Sequence, residues 1–424
     1  MIKKCIWVIF FLLSVKAQAQ YKSDVLVFGN SAAACAAAIQ SAKSGVKTLL
    51  ISPSEFLIAD TIPNMNVHAF DAGIWKEWKD QYQKSADSIA TDPRAIMTEM
   101  IKNTKGLNYI SIVEVSNISQ KNKGWELKVK IDGKAAEIKC KILVDATFEH
   151  KNSLSAEFNL IDFDQKGNFL NMIATPIDQK LSSESTSQKL LRTSAAAGFG
   201  KDSSQIKTIP LGAFIPKEKE NLLMVSLACF KNNKASDLNN LALWANMGQA
   251  VGALAAYGPY FGTSPDKANI RMTQGEMFTY YSFLYPIVDV EIKDASFVAI
   301  QKIIAAGILK FDEKKGMFNP KGKVSVKEVK AILSELYPRS RIWFIENRDD
   351  QFTLAQTISL ISFIGGKDSI TMQQEVVSDW KTKYKFVTNF VETDLINRKA
   401  FAVLVDTYLE PFNIKVDFDG NFLR

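Results

Sequence analysis

The chain has 424 residues, of which 47% are hydrophobic, and its 52 Lys and Arg residues against 45 Asp and Glu residues give a formal net charge of +7. This composition excludes an intrinsically disordered protein, because enough apolar residues are present to bury a core. The lysines are dispersed among acidic residues and form no basic stripe, which excludes a nucleic-acid partner and leaves a mild preference for anionic surfaces.

The N-terminal segment, residues 1–19, predicts a secretory signal peptide. It begins with two lysines, continues with an apolar stretch at residues 6–15 and ends with the sequence Ala-Gln-Ala at residues 17–19. The apolar stretch is too short for a transmembrane helix, which needs about 20 apolar residues. We expect an exported product that begins at Gln20, is periplasmic, extracellular or attached to the cell envelope, and has no transmembrane segment after cleavage.

Three cysteines follow the predicted cleavage site: Cys35, Cys140 and Cys229. An odd number at wide spacing does not suit the disulfide framework of a small exported domain. We therefore expect buried free thiols.

Residues 23–52 predict a βαβ unit. An apolar strand at Val25–Phe28 is followed by a turn of small residues, an Ala-rich helix at about 32–44 that Gly45 ends, and a second apolar strand at 47–51. The right-handed crossover of such a unit makes the two strands parallel. The chain therefore begins as an α/β fold.

The next segments predict further strands. A helix at Pro93–Lys102, capped by Asp92, leads to strands at 109–115, 125–131 and 136–141, the last two joined as a hairpin. Residues 142–147 then form an apolar strand that ends in polar residues, as in the middle of a parallel sheet.

The first domain is predicted to span residues 20–270. Residues 151–208 are rich in Ser, Gln and Asn and indicate an insertion or a small second layer. A buried strand at 221–226 and a helix at 237–256 follow, and the run 257–262 ends that helix.

Beyond residue 290 the pattern changes to helices. A helix at Phe297–Ala306 has Gly307 as its C-cap, a turn at 318–320 precedes a second helix at Val324–Tyr337, and a related helix lies at Lys399–Leu409. This weak internal repeat predicts a separate helical domain at 290–424.

The order and spacing of residues 23–52, 142–150, 209–230 and 241–256 resemble the exported FAD-dependent oxidoreductases of Bacteroidetes-type bacteria. That resemblance covers most of residues 23–262. It implies a Rossmann-like FAD/NAD(P)-binding domain of the glutathione-reductase type with a β-rich insertion, and FAD as the cofactor. Residues 290–424 are similar to an S-layer-homology-like tail, which implies contact with the cell envelope.

The family's GxGxxG turn corresponds to residues 29–34. Its glycines make the tight turn, let the backbone approach the pyrophosphate and let the helix pack on the strand. Gly29 is retained, Ser31 replaces the second glycine and Ala34 the third. Ser31 places a side chain where the diphosphate approaches, although its hydroxyl retains a hydrogen-bond donor.

Other family motifs are altered too. Ser52 stands where an acidic residue binds the adenosine ribose, with Glu55 on the next loop as a substitute. Thr147 is retained from the alanine-threonine-glycine strand end, but Phe148 replaces its glycine and fills the space for the flavin. A glycine-arginine pair is replaced by Ser226 and Leu227.

Residues 247–252 keep the small-residue helix start that presents backbone amides to the flavin in the family. The resemblance thus implies cofactor contacts at Gly248, Gln249 and Ala250. Small residues also arise where two helices pack closely, so both interpretations stay open.

No catalytic residue is assigned. His68 and His150 are the only histidines, and each is a candidate acid or base or else a surface or packing residue. Trp75 and Trp78, near Phe70, form a sugar-stacking platform or part of the core. No metal site is expected, since residues 417–421 suit a turn better than a calcium loop.

Two functions are compatible with these residues. The first is an exported FAD-dependent oxidoreductase-like protein with impaired or lost flavin binding, for which FAD and a small-molecule substrate are the ligands. The second is a noncatalytic cell-envelope or glycan-binding protein on the same scaffold.

Overall fold

The structure, a computed structural model, describes residues 19–58, 64–65, 69–85, 92–148, 153–162, 170–174, 184–199, 206–226 and 241–423. The predicted signal peptide apart from Ala19, both histidines, Cys229, Leu227 and residues 237–240 lie outside the described residues.

A five-stranded parallel sheet forms the centre of the first domain. In spatial order its strands are β11 (Leu222–Met224), β8 (Ile142–Asp145), β2 (Val25–Phe28), β3 (Thr48–Ile51) and β4 (Leu107–Ile110). All residues of β2, β3, β8 and β11 are buried, because helices cover one face of the sheet and the antiparallel sheet described next covers the other. The predicted α/β class, a Rossmann-like arrangement, is confirmed.

A second, antiparallel sheet is inserted between β4 and β8. It contains β5 (Val113–Lys121), β6 (Gly124–Ile131) and β7 (Lys134–Cys140), and β1 (Ala19–Lys22) pairs with β7 in parallel. Its first turn places Asn122 at φ +49° and Lys123 at φ +62°, the two positive values that a tight hairpin turn requires.

The predicted single strand at 109–115 is wrong. Strand β4 ends at Ile110 in the parallel sheet, and β5 begins at Val113 in the antiparallel sheet. Ile112 lies between them at φ +54°, so the chain turns from one sheet into the other at that residue. Alternating apolar residues continue through this turn, from Ile110 to Ile112 and on to Val113 and Val115, and the sequence pattern therefore does not reveal the break.

Two helices pack tightly against each other on one face of the parallel sheet: α1 (Ala32–Lys43) and α6 (Leu241–Phe261). A Cβ atom at Gly248 would lie 2.1 Å from the Ala33 carbonyl oxygen, and one at Gly252 would lie 2.4 Å from that of Ala37. The α6 backbone thus rests directly on the α1 backbone.

Helix α6 is longer than predicted. It continues past Ala256 to Phe261 and includes Pro259 in its last turn. The rings of Tyr257 and Phe261, one turn apart, have centroids separated by 4.5 Å. Pro259 costs the helix one backbone hydrogen-bond donor. The contact between Tyr257 and Phe261 in the same turn favours the helical conformation, so the helix continues where the sequence predicted its end.

The remaining elements of the first domain surround the sheet. They are α2 (Gly73–Ser85), α3 (Pro93–Asn103), α4 (Leu154–Glu157), α5 (Glu184–Leu191), β9 (Ser194–Phe199), β10 (Ile206–Pro210) and α7 (Ile270–Thr279). Strands β9 and β10 are antiparallel, so the predicted insertion contains an ordered hairpin.

Trp75 and Trp78 belong to the core. Neither side chain is exposed, their rings meet edge to face at 5.7 Å, and the indole N–H groups donate to Asp71 Oδ1 and the Pro93 carbonyl. Phe70 is buried as well. The sugar-stacking interpretation is therefore wrong.

The C-terminal region is helical, as the sequence predicted. Its helices are α8 (Phe297–Ala305), α9 (Val326–Leu336), α10 (Ser340–Glu346), α11 (Leu354–Gly365), α12 (Ser369–Thr382) and α13 (Arg398–Leu409). Gly307 follows α8 at φ +75°, the conformation expected of its predicted capping position.

The internal repeat has three copies where the sequence suggested two. Val324, Phe352 and Ile396 are buried, and each is followed by the N-cap residue of a helix. The amide of Phe352 donates to the Val324 carbonyl, and the amide of Ile396 donates to that of Phe352. A β-bridge between Lys323 and Asn397 joins the third segment back to the first, so the three segments form a closed ring.

Two buried arginines join the C-terminal region to the first domain. Arg271 donates to the carbonyl oxygens of Arg192, Ala305 and Ile414, and burial lowers the pKa of its guanidinium to about 10. Arg192 donates to the Gly420 carbonyl and lies over the Phe422 ring. The hydrophobic core is continuous across the predicted domain boundary.

We expect Gly248→Ala to lower the free energy of unfolding by about 3 kcal/mol or more, because the new methyl group meets a backbone carbonyl that cannot move independently. Gly275→Ala is the matched control, since its helical site has no atom within 4 Å of the new Cβ. It should raise stability by up to about 1 kcal/mol. Urea unfolding curves measure both, and equal effects would contradict direct backbone packing.

Asp406 in α13 gives the stability a defined pH dependence. Burial raises its pKa from 3.8 to about 6, against the opposing attraction of Lys302, whose Nζ lies 3.6 Å away. A raised folded-state pKa stabilises the fold below about pH 4, and this contribution is lost as the pH rises through about 6. Relative to Asp406→Asn, the wild type should lose about 3 kcal/mol over that interval.

Unfolding midpoints at several pH values test this expectation. Asp266→Asn removes one carboxylate from an exposed position and is the control for the loss of a negative charge. Parallel pH profiles for Asp406→Asn and the wild type would contradict the pH dependence assigned to Asp406.

Candidate functional site

The candidate site begins at the turn between β2 and α1, at the carboxyl end of the parallel sheet. Gly29 has φ +136°, and a Cβ atom there would lie 2.7 Å from the Ala146 carbonyl oxygen. Only glycine fits, because the ends of β2 and β8 converge at this point. This close approach explains why the first position of the GxGxxG turn is a glycine in this chain.

The Ser31 hydroxyl is engaged within the fold. Its oxygen accepts a hydrogen bond from the Ala34 amide at 3.1 Å, and its proton is donated to the Ala146 carbonyl at 2.7 Å. Ser31 is therefore the N-cap of α1. The helix N-terminus, where a pyrophosphate accepts amide hydrogen bonds in dinucleotide-binding folds, already has an internal acceptor.

The loop after β3 closes over the same turn. The Ile58 amide donates to the Asn30 carbonyl at 2.6 Å, and the Asn30 side chain donates to Ser54 Oγ at 2.9 Å. Ile58 is buried at φ +55°, a strained conformation for a β-branched residue. The strain indicates that tertiary contacts hold this loop against the turn.

Ser52 is buried and bonded to its own loop. Its hydroxyl donates to the Ser54 carbonyl at 2.8 Å and accepts from the Ser54 amide at 3.1 Å. It therefore lacks the negative charge of the family's acidic residue, and its hydroxyl is already bonded within the loop. Glu55 is exposed on the following loop, and its predicted role as a substitute stays a prediction.

Asp145 is the residue that the sequence analysis missed. It is fully buried at the end of β8, where its carboxylate accepts from the Thr147 hydroxyl at 2.8 Å and from the Ser155 amide at 2.8 Å. Burial raises the pKa of this carboxyl, while the hydrogen bonds from Ser155 and Thr147 oppose the rise. The sequence did offer one indication of this site, because Asp145 is the acidic residue that ends the otherwise apolar strand β8.

Thr147 is thus held by Asp145, and its neighbour Phe148 is packed inward. The Phe148 ring meets Trp244 edge to face at a centroid distance of 5.0 Å. The ring takes up space that a glycine in that position would leave open, and its predicted overlap with the flavin stays a prediction.

The second group of predicted residues lies elsewhere on the fold. Residues 247–252 are in the middle of α6, so the prediction of a helix start is wrong: their amides are hydrogen-bonded within the helix. Gly248 contacts Ala33 of α1. Gln249 is buried, accepts from the Ile74 amide at 2.9 Å and donates to Gln40. Ala250 is buried in the core.

The structure therefore brings together only part of the predicted set. Gly29, Ser31, Ala34 and Thr147 surround the converging ends of β2 and β8, and Ser52 directly follows the adjacent strand β3. Gly248 packs against Ala33 of α1, whereas Gln249 is bonded to Gln40 and Ile74 and Ala250 lies in the core.

The thiols of Cys35 and Cys140 are free and buried, as expected. Burial raises the pKa of Cys35 to about 12 and that of Cys140 further, so both stay protonated at neutral pH. Residues 417–421 form a turn in which Asp417 accepts from the Asp419 and Asn421 amides. Within the described ranges, no cluster of three His, Cys, Asp or Glu side chains suits a metal ion.

Among the helices that the structure describes, none combines the length and the apolar character needed to span a membrane.

Comparison with protein families gives one match. Residues 24–151, about three tenths of the chain, match the family described as FAD dependent oxidoreductase. The matched segment contains the turn at Gly29, the strand β3 and the strand end at Asp145. No curated protein sequence matches the chain.

Solved structures with a similar arrangement include several flavoproteins. The flavin-dependent monooxygenase PieE in complex with FAD and substrate is 15% identical and has a TM-score of 0.26, with 34% of this chain and 33% of that chain covered. The rebeccamycin biosynthetic enzyme RebC with reduced flavin is 14% identical, with a TM-score of 0.27 and coverages of 34% and 36%.

The bacillithiol disulfide reductase Bdr from Staphylococcus aureus is 16% identical, with a TM-score of 0.21 and coverages of 30% and 38%. The chain thus spans about a third of the length of the structures it matches.

The described residues do not fit a complete FAD site. Gly29 and Ala34 suit a dinucleotide turn, but the Ser31 hydroxyl caps the helix end that would receive the pyrophosphate. Ser52 cannot replace a ribose-binding carboxylate, and Phe148 packs against Trp244. At these positions of the matched segment, the polar groups of Ser31 and Ser52 form hydrogen bonds within the chain.

Replacement of Ser31 tests its capping role. We expect Ser31→Ala to lower the free energy of unfolding by about 1 to 2 kcal/mol, because the Ala34 amide loses its acceptor. Ser31→Gly should cost only a few tenths of a kcal/mol, since glycine tolerates an N-cap and admits water to the amide. Denaturant titration distinguishes the two, and an equal loss would contradict a capping role.

Proposed function

We propose that this chain is an exported FAD-dependent oxidoreductase-like protein in which the flavin site is so altered that FAD is bound weakly or not at all. The coarse assignment rests on the family match over residues 24–151 and on the parallel sheet that carries it. The impaired binding is argued from one observation: the Ser31 hydroxyl bridges the Ala34 amide and the Ala146 carbonyl at the helix N-terminus.

Competition explains why this bridge weakens cofactor binding. A pyrophosphate would have to displace a neutral hydroxyl that accepts the amide hydrogen bond and would leave the buried Ala146 carbonyl without that donor. An unpaired buried polar group costs about 1 to 3 kcal/mol, which is subtracted from the binding free energy. The Phe148 ring would add a steric cost at the flavin end.

Export is part of the same proposal. Signal-peptide cleavage after Ala19 would leave Gln20, Tyr21 and Lys22 paired with residues 137–139 of β7. The new N-terminus would thus be held in a sheet. Determination of the N-terminal residue of the secreted product should give Gln20, and an uncleaved product retained in the cytoplasm would contradict export.

A noncatalytic cell-envelope or glycan-binding protein is the second candidate. It is favoured by the threefold ring of Val324, Phe352 and Ile396, which supports the resemblance of the helical region to an S-layer-homology-like tail. Co-sedimentation of the purified protein with isolated cell-wall glycan would support this function. A protein that stays in the supernatant at every glycan concentration would remove it.

The absorption spectrum of the protein purified from cells tests the flavin assignment. We expect no stoichiometric flavin bands and less than one FAD released per chain on denaturation. Saturation of a competent site at a hundred times its dissociation constant adds about 2.7 kcal/mol of stability. We therefore expect excess FAD to leave the thermal midpoint nearly unchanged, whereas a yellow, fully loaded protein would contradict the proposal.

A double substitution tests the cause of the impaired binding. Ser31→Gly with Phe148→Gly opens both the helix end and the flavin space, so FAD affinity should rise about tenfold or more. Ser325→Gly with Phe363→Gly makes the same chemical changes in the helical region and serves as the control. An equal response of the two double variants in fluorescence titration with FAD would show that these contacts are not the cause.

A further inference from the structure

A cleft lies at the amino end of the parallel sheet, opposite the carboxyl end that carries the Gly29 turn. It has a volume of about 480 Å³ and is bordered by residues that precede β2, β3 and β8, together with the β1 end and the first hairpin turn of the antiparallel sheet. Six lysines line it: Lys22, Lys47, Lys121, Lys123, Lys139 and Lys141. Its size is that of a small-molecule site.

Three of these lysines have carboxylate partners. Lys141 Nζ lies 2.8 Å from Asp24, and Lys121 Nζ lies 2.8 Å from Glu126. Lys139 lies 3.4 Å from Glu126 and 3.3 Å from Glu137. The hydrogen bond from Lys121 is the main reason that the pKa of Glu126 is held at about 2, so the carboxylate is ionised at neutral pH.

The other three lysines carry the excess charge. Lys22, Lys47 and Lys123 are exposed, and none has an ion pair with another residue in the part of the chain that the structure describes. They come from separate segments: the end of β1, the residue before β3 and the hairpin turn at φ +62°. The fold thus directs three unneutralised ammonium groups to one concave surface.

A hydroxyl group without a partner lies in the wall of this cleft. Ser23 Oγ is buried and has no hydrogen-bond partner among the described residues. Ser23 lines the cleft, and its hydroxyl proton turns about a single bond, so the proton is available to a ligand oxygen that reaches this residue. A buried polar group of this kind is costly unless a ligand or water satisfies it.

We propose that this lysine cleft binds the phosphate group of a phosphorylated ligand. A phosphate monoester carries a charge of about −1.5 to −2 and three acceptor oxygens, which match an excess of three ammonium groups and one free hydroxyl donor. A single carboxylate would neutralise only one of the lysines. The phosphate can belong to a lipid headgroup or to a free soluble phosphate compound.

Titration of the purified protein with inorganic pyrophosphate and with vesicles distinguishes these two sources. The vesicles contain phosphatidic acid, a lipid phosphate monoester, in phosphatidylcholine, and vesicles of phosphatidylcholine alone are the blank. Calorimetry reports pyrophosphate binding, and co-sedimentation reports vesicle binding. We expect binding of at least one anionic probe, weakened by added salt because the lysines are exposed. Binding of neither probe would overturn the proposal.

A charge-matched pair of triple variants locates the binding. Lys22→Gln, Lys47→Gln and Lys123→Gln together should weaken binding about tenfold. Lys267→Gln, Lys321→Gln and Lys415→Gln remove the same charge from exposed positions outside the cleft and should weaken it less than about twofold. Equal losses in the two triple variants would assign the effect to net charge and overturn the site.

Ser23→Ala gives a second test that leaves the charge unchanged. It should weaken binding about threefold, because the phosphate loses one donor while every lysine remains. Thermal midpoints monitor folding of each variant, and Ser23→Ala decides the outcome if the cleft triple variant is unfolded. An unchanged affinity would then contradict the assigned contact.

Discussion

Direct contact between the backbones of α1 and α6 is the constraint on which the first domain depends. Gly248 and Gly252 allow the α6 backbone to reach the carbonyl oxygens of Ala33 and Ala37. Helix α1 is rich in alanine for the same reason, since larger side chains on this face would separate the two helices. The position of α1 in turn fixes the turn at Gly29 against the end of β8. The small residues that suggested a cofactor contact in α6 are therefore accounted for by packing.

The sequence allowed much of the central fold to be predicted, because buried parallel strands are apolar throughout and their connections are marked by glycine and capping residues. Strands β2, β3 and β8 and helix α1 were recognisable on these grounds. The boundary at Ile112 was not, since apolar residues continue on both sides of it and only the backbone conformation changes. The third repeat was missed because Phe352 and Thr353 share a chemical character with the other copies but no residue identity.

The candidate site was predictable in its location but not in its bonding. The substitution of Ser31 for glycine was evident from the sequence, whereas the acceptor of its hydroxyl lies 115 residues away at Ala146. The buried hydrogen bonds of Asp145 to Thr147 and Ser155 likewise depend on how β8 meets α4. Long-range bonds of this kind depend on the three-dimensional fold. A comparison of sequence motifs therefore shows that a residue has changed but does not show which residue it bonds to.

The pairing of β1 with β7 has a consequence for the order in which the protein matures. Residues 19–22 lie beside residues 136–139 in parallel, so a segment that is synthesised early finds its partner only after more than a hundred further residues have followed. Contacts this distant in sequence form slowly. The edge of β7 therefore stays open during early folding, and residues 19–22 finally shield it from association with other molecules.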